Sequence, residues 1–534
     1  MEQQHQELAS RLSSAGRVCF PGSAEFDKAN LRFTDYERPT YSVVVVPGCE
    51  ADIAEAVKYA AKNKIPLAPR AGHHCVTSTM RHLQDGMLID LRSLNQMSFD
   101  EEARTVTAAG GVLTDDFVKF LHKHQMEVNV GSCPTTGIMG VALGAGLGRL
   151  QGKYGFLHDN MISVRMVLAD GSTVTASEEL NADLFWAIRG AGHNFGIAVE
   201  ATFRVHPQAN RGVHYTWDLE YELEQCDAVF GLLNEVTDAM PADLAIFVLW
   251  MRQSTPEKQH TILVNLVWSG AEALADPWVA RFEAIDPAIH SGKTTTTWDE
   301  LPWKTYKGYN RFLSMPEVWS AAPYKMMSAA CVRRFDLATT RDFFQSVKDM
   351  NLQWAGRGTF GAMFECLPHH MVREIADDAT AFPWRQSSDH FFQLIVGRMM
   401  MATPFKLEDR QAFEAHLDTW KRRFVETSGY GELHQYVNYG NTTSTMRDPP
   451  GALYGYESWR LEKLRGLKRR YDPGNFFRWY QPIIDGDEVE GWLTAHRPKT
   501  PDICAYGARA STPMVAILRG NCGDARLPSG GSRL

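Results

Sequence analysis

Between Ser42 and Pro47 four consecutive valines make an apolar run of β-branched side chains, the pattern of a buried strand. From Ala51 to Lys64 the apolar positions Ile53, Val57, Ala60 and Ala61 fall at i, i+4, i+7 and i+8, one face of a helix. A second strand is predicted over Ile65 to Pro69. A β-α-β opening of this kind has a right-handed crossover. It places a ligand near the loop leaving its second strand, where backbone N–H groups become available. That loop reads Arg70-Ala71-Gly72-His73-His74-Cys75.

Further strands are predicted over Met87–Leu91, Thr105–Ala108, Glu127–Val130, Ser163–Leu168 and Phe195–Val205, with a short amphipathic helix over Asp183–Arg189. Between Gly131 and Gly155, glycine recurs at 131, 137, 140, 144, 146, 148, 152 and 155. Such a density lets backbone approach something flat or phosphorylated, at an entropic cost that a merely structural loop avoids. Beyond Pro207 the pattern changes: Ala245–Met251 and Thr261–Trp268 read as long antiparallel strands, interspersed with helices. Residues 208–435 are therefore expected to form a second lobe and 436–485 to close the globular part. The stretch 491–534 has six Arg and Lys against two Asp and reads as an exposed tail.

Composition narrows the classes. A chain of 534 residues, 44% of them hydrophobic, exceeds what one core organises, so two lobes are expected. With 63 acidic against 55 basic residues it has no protein-wide basic field, and nucleic-acid binding is not expected. Apolar runs such as Leu244–Met251 are far shorter than the roughly 20 residues a membrane helix needs. The first twenty residues lack the apolar core of a secretory signal, so a cytoplasmic or organellar rather than secreted protein is expected. The nine cysteines contain no C-x-x-C pair, which argues against zinc and against a disulfide framework, although a pairing among Cys19, Cys49 and Cys75 stays open. His73 and His74 are neighbours without a third ligand at suitable spacing, so no metal is expected.

The run Gly190-Ala-Gly192-His-Asn-Phe-Gly196 has a helix before it and a strand after it, the reverse of a dinucleotide fingerprint, and no P-loop is present. The glycines need another ligand. Six motifs occur in order: Arg70-x-Gly-x-His74; Cys133-Pro134-Thr135-Thr136-Gly137; Lys153-Tyr-Gly-x-x-x-Asp159-Asn160; Asp183-Leu-Phe-Trp-Ala-x-Arg-Gly190 with Asn194-Phe-Gly196-Ile197; Tyr436-x-Asn-Tyr439; and Tyr471-Asp-Pro-x-Asn475-Phe-Phe. Together, over about residues 40 to 485, they resemble the berberine bridge enzyme-like flavoprotein oxidases of the vanillyl-alcohol oxidase superfamily.

The resemblance implies an α+β fold of two lobes. Residues 37–207, with 436–485 returning to them, would form a PCMH-type FAD-binding domain. Residues 208–435 would form an antiparallel β-sheet substrate domain covered by helices. It implies covalent FAD, with His74 on the 8α-methyl and Cys133 on flavin C6. Cofactor contacts are implied at Arg70, Ala71, Gly72, His73, Cys75, Pro134, Thr135, Thr136, Gly137, Gly140, Gly144, Asn160, Gly196, Ile197 and Asn475. The chemistry is consistent, since neutral imidazole and thiolate are the nucleophilic forms. Two departures stand out: the family's second glycine before the histidine is His73 here, and its glycine triplet reads Gly144-Ala145-Gly146.

For the reaction, the resemblance implies oxidation of a C–H next to oxygen or nitrogen, with Tyr439 at the position of the most frequent base and Glu365 as base or orienter. A phenol of ordinary pKa near ~10 needs a neighbouring cation or donors to serve as a base at neutral pH. Tyr436 and Tyr439 taken alone would read as packed aromatics. Thr136 stands where relatives carry a small oxygen gate, which implies molecular oxygen as acceptor and hydrogen peroxide as product. An aromatic or alkaloid-like metabolite is the expected substrate. A carbohydrate oxidase is the alternative, and a flavin-bearing binding protein is the reading from another class. The C-terminal Ser532-Arg533-Leu534 is similar to the S-K-L peroxisomal address, so a peroxisomal location stands beside a cytoplasmic one.

Overall fold

The computed structural model describes residues 2–252, 260–355, 358–385, 393–401 and 406–483. The tail 491–534, with Cys504, Cys522 and the Ser532-Arg533-Leu534 end, lies outside the described residues.

Strands β1 (Arg17–Cys19), β2 (Tyr41–Val46), β3 (Leu67–Arg70) and β4 (Gly86–Asp90) form a sheet in the order β1-β2-β4-β3. β4 runs parallel to both β2 and β3, and β1 is antiparallel to β2. The opening unit therefore departs from a simple adjacent pair, because β4 inserts between β2 and β3. The residues explain why: β4 is buried along its whole length, as a central strand must be. β3 contains Pro69, which lacks a ladder donor and belongs at an edge. The helix Glu50–Lys62 buries Ile53, Val57 and Ala60 as its periodicity requires, while Ala61, expected on the same face, is exposed.

A second sheet comprises β5 (Met97–Asp100), β6 (Thr105–Ala109), β8 (Met161–Val167), β9 (Thr173–Ser177) and β10 (Ile197–Arg204), antiparallel in the order β5-β6-β10-β8-β9. Two short strands, β7 (Met126–Glu127) and β11 (His206–Pro207), pair beside it. The strand expected over Glu127–Val130 thus stops after Glu127. Beyond that point Asn129 serves the glycine-rich segment, its Nδ2 donating to Gly146 O at 2.8 Å and its Oδ1 accepting from Leu150 N at 3.1 Å.

Residues 213–401 hold β12 (Val213–Glu222), β13 (Leu244–Arg252), β14 (His260–Trp268), β15 (Ile289–Thr297), β16 (Tyr324–Val332), β17 (Gly358–Cys366) and β18 (Gln393–Met401). They make one seven-stranded antiparallel sheet, β15-β12-β14-β13-β17-β18-β16. Its two faces separate by the period of two that strands impose. Ile246, Val248 and Phe364 pack with Phe230, Phe343, Phe344 and Phe424 from helices Cys226–Asp238, Leu337–Gln353 and Leu407–Glu426. Ala245, Phe247, Leu249 and Met363 join the core of the first lobe instead. Phe247 and Glu365 are cross-strand partners, so the same alternation sets Glu365 on the face toward the first lobe.

The chain then returns to the first lobe. Asn441 O accepts from Ser78 N at 2.7 Å, and Gln481 Nε2 donates to Val437 O and Gly440 O at 2.9 and 2.7 Å. Asn194 Nδ2 donates to Gln481 O at 3.1 Å, and Lys468 Nζ to Asp472 Oδ2 at 2.6 Å. Cys19, Cys49 and Cys75 are free thiols, so the pairing left open by the sequence does not form. Among the described residues no helix is long and apolar enough to cross a membrane.

Candidate active site

A cavity of about 340 Å³ opens where the first two sheets, the seven-stranded sheet and the returning segment meet. Arg70, Ala71, Gly72, His73, His74, Cys75, Cys133, Thr136, Gly137, Gly140, Gly196 and Ile197 line it, and so do Glu365 and Tyr439. The two loops that bring most of these residues touch through backbone. A Cβ on Gly72 would lie 2.4 Å from Thr135 O and 2.6 Å from Gly137 N, so only glycine permits the contact. This contact sets His74 beside the Cys133–Gly137 loop.

The adjacent imidazoles have different partners. His73 takes a left-handed backbone, φ 61°, and its Nδ1 meets Leu31 O at 2.8 Å. Burial, reinforced by Arg32 and Arg70, holds it well below the ordinary histidine range and therefore neutral. His74 stacks on Phe33, with ring centroids 4.9 Å apart, and meets Trp319 edge-on at 5.0 Å. Its Nε2 lies 2.8 Å from Thr135 Oγ1, and Cys133 Sγ lies 3.8 Å from the same hydroxyl. Thr136 turns its hydroxyl to Cys133 O at 2.9 Å and to Thr114 Oγ1 at 2.9 Å. Arg70 lines the cavity but spends its guanidinium on Asp90, at 3.1 Å, and on Ala29 O, at 2.5 Å.

Five expected contacts do not line the cavity: Pro134, Thr135, Gly144, Asn160 and Asn475. Each has a framework role. Pro134 O accepts from Asp115 N at 2.9 Å, and Thr135 orients His74. Gly144 packs under Asn438, whose Oδ1 would lie 2.3 Å from an added Cβ. Asn160 ties Tyr154 O, Phe156 O and His206 Nε2 together, at 2.7, 3.0 and 2.9 Å. Asn475 adopts φ 48° in the turn after the helix Ser458–Tyr471, its N–H on Asp472 O at 2.9 Å.

Across the cavity, the Tyr439 hydroxyl donates to Glu365 Oε1 at 3.4 Å. Tyr436 is used differently: its oxygen accepts from Asn438 Nδ2 at 2.8 Å and Gly146 N at 3.3 Å, and burial pushes its phenol up to about 12. It is framework. Sequence reasoning missed several lining residues. His193 sits inside a quoted glycine motif; its Nε2 meets Gly140 O at 2.9 Å, while its buried Nδ1 has no partner. Burial lowers it to about 4, so it is neutral and Nδ1 is an open acceptor. Tyr306 lines the cavity too, with Arg149 behind it. The lone arginine of the glycine-rich segment was the available signal for that pair.

These residues fit a flat group. Gly72, Gly131, Gly137, Gly140 and Gly196 bring bare backbone to the cavity wall, and Gly140 has nothing within 4 Å of an added Cβ.

Two families match the sequence: FAD binding domain over residues 41–177, and berberine and berberine like over 435–484. The FAD-linked oxidoreductase alt4 of Alternaria solani is 60% identical over 482 residues, spanning 90% of this chain and 96% of the relative. Among solved structures, the BBE-like 1 protein of Physcomitrella patens superposes with a TM-score of 0.73 at 24% identity, over 90% of this chain and 99% of its own. Glucooligosaccharide oxidase from Acremonium strictum, which carries a 6-S-cysteinyl, 8α-N1-histidyl FAD, gives a TM-score of 0.73 at 20% identity, over 90% and 98%. On its 60% identity over 482 residues to the Alternaria solani relative, the chain belongs to the FAD-linked oxidoreductases of the berberine bridge enzyme-like family.

Proposed function

We propose that this oxidoreductase oxidises a C–H bond next to oxygen or nitrogen in a small aromatic or alkaloid-like metabolite, with FAD tethered through His74 and Cys133 and molecular oxygen as final acceptor. The observation that carries the reading is the convergence of His74, Cys133, Glu365 and Tyr439 on one cavity. Bound FAD would supply the two-electron acceptor. The chain's own residues do the rest.

Thr135 holds the His74 ring through Nε2, and Phe33 and Trp319 fix its plane. His73 is occupied with Leu31 O, which favours His74 as the attachment point. Tyr439 and Glu365 form the proton-accepting pair: a proton leaving the substrate passes to the carboxylate, directly or through the phenol. Phe247, Leu313, Met327 and Met363 line the substrate side and exclude water, which suits an aromatic ligand better than a sugar. Thr136, small and with its hydroxyl bound to backbone, leaves room for oxygen. Peroxide as product suits the peroxisome-like C-terminus, and imaging an N-terminally tagged chain with and without Ser532–Leu534 would test that address.

The deciding experiment is anaerobic bleaching of the flavin absorption by a panel of aromatic, alkaloid-like and oligosaccharide compounds, followed by acid precipitation. An aromatic substrate and colour fixed to the pellet are expected. Bleaching by oligosaccharides alone would select the other substrate class, and a colourless pellet would remove the tether.

A further inference from the structure

A strap near the start of the chain brackets His74. Phe33 N donates to His73 O at 3.1 Å and Arg32 Nη2 to Cys75 O at 3.0 Å, so adjacent positions of one segment hold the residues on either side of His74. The strap then docks on β16, an edge strand of the seven-stranded sheet, where ladder groups await a partner. Asp35 N donates to Pro323 O at 2.6 Å. Thr34 Oγ1 donates to Lys325 O at 2.9 Å and accepts from Lys325 N at 3.0 Å.

Lys325 is 3% exposed, and among the described residues no carboxylate forms an ion pair with it. Asp35, the acid whose charge reaches it, is paired with Arg38 at 3.1 Å. Burial lowers the Lys325 ammonium to about 8, which leaves it charged at neutral pH. Its Nζ donates to Phe33 O at 2.7 Å and to Ala322 O, and lies 4.9 Å from the Phe33 ring centroid. Ala322 caps the helix Pro316–Ala321, which carries Trp319. One ammonium thus ties together the two segments whose rings wall the His74 imidazole, Phe33 stacked on it and Trp319 edge-on. The two rings also meet each other, perpendicular and 5.9 Å apart. A buried cation is costly to keep, and this one serves two carbonyls that belong to those walls.

We propose that Lys325 is a positioning residue for flavin attachment at His74: by tying Phe33 O to Ala322 O it fixes the plane of the imidazole before the bond to the cofactor forms. In that attachment a bond forms between a ring nitrogen and the 8α carbon while one methyl C–H and the imidazole N–H break. The two protons and two electrons stay on the flavin until molecular oxygen, the acceptor proposed above, takes them as hydrogen peroxide. Lys325 transfers neither proton nor electron; it sets where the ring lies. This inference rests on the tether proposed at His74.

The test uses the holoenzyme and two measurements. Mass spectrometry of tryptic fragments gives the fraction of bound flavin that is linked to His74, and amide hydrogen exchange reads the strap through the Phe33 and Asp35 N–H groups. Lys325→Met should lower the His74-linked fraction at least about threefold while total bound flavin stays within about twofold, and should speed strap exchange about tenfold without changing the helix Glu50–Lys62. Lys325→Arg, which keeps the charge and several donors, should restore at least about half of the fraction. Lys325→Gln, which reaches one carbonyl at most, should fall between and serves where Lys325→Met is insoluble. Phe33→Leu removes a wall but keeps the carbonyl, so it should lower the fraction and leave strap exchange unchanged. A lesion of folding alone would lower total flavin and leave the fraction as it was. That result in Lys325→Met or Lys325→Gln, or a lower fraction with strap exchange unaltered, would overturn this inference and leave the tether standing. A wild-type protein with no flavin on His74 would overturn the tether, and this inference with it.

Discussion

The Tyr439 hydroxyl lies 3.4 Å from Glu365 Oε1, and that contact joins the returning segment to β17 of the seven-stranded sheet. If the two handle one proton together, their removals are not additive. Glu365→Gln and Tyr439→Phe are each expected to slow anaerobic flavin reduction at least about tenfold, and the double variant to be little slower than the worse single. Stopped-flow reduction by whichever compound bleaches the wild type reads the cycle. Multiplying effects would mean two independent roles.

Thr135 offers a separate handle on the proposed cofactor attachment, because its hydroxyl meets His74 Nε2 at 2.8 Å without lining the cavity. Thr135→Val keeps the shape and removes the bond. Stability should change by only about 1 kcal/mol, while flavin recovered on the His74 peptide should fall by about half or more, since ring orientation is lost. Mass spectrometry of tryptic fragments measures the yield.

Gly72→Ala attacks the contact between the two loops. Its Cβ would meet backbone at 2.4 and 2.6 Å, which no side-chain rotation relieves. A loss of about 1–3 kcal/mol is expected, with lower flavin content in the protein that survives. Thermal unfolding and the ratio of flavin to protein absorbance check both.

Acid stability should depend on His214, buried on β12 with Nδ1 2.9 Å from Ser269 Oγ and Nε2 unpartnered. Burial lowers it to about 3, whereas the unfolded chain titrates near ~6.5. The unfolded state therefore binds the extra proton first, so this histidine's contribution to stability is full above about pH 6.5 and falls as pH drops below it. Between about pH 6 and pH 4 the slope from His214 is about 1.4 kcal/mol per pH unit, and His214→Asn should remove it. Denaturant unfolding at several pH values gives the slope.

Much of the arrangement was legible because its signals are local. The Arg70–Cys75 loop follows a strand, the glycine-rich segment announces close backbone approach, and the long strands at Ala245–Met251 and Thr261–Trp268 mark the change to an antiparallel sheet. Sequence motifs did not separate contact from support. Asp159 and Asn160 stand in a motif, yet Asp159 pairs with buried Arg385, 2.5 Å away, and Asn160 ties a turn together. The insertion of β4 between β2 and β3 was not legible either, since strand order is a tertiary choice that the first two strands do not encode. Tyr306 was missed for a similar reason: its position depends on a strained turn held by Asp218 and Glu220, residues some 90 positions earlier.

Because Glu365 and Tyr439 come from opposite sides of the last fold-back, a polypeptide still emerging from the ribosome holds the first of these two facing groups before it holds the second. The cavity wall that carries Tyr439 is thus completed only when residues 435–483 dock on Ser78 and Asn194. On the proposed role of that pair, a chain cut short of the returning segment would hold the first lobe and half of the site.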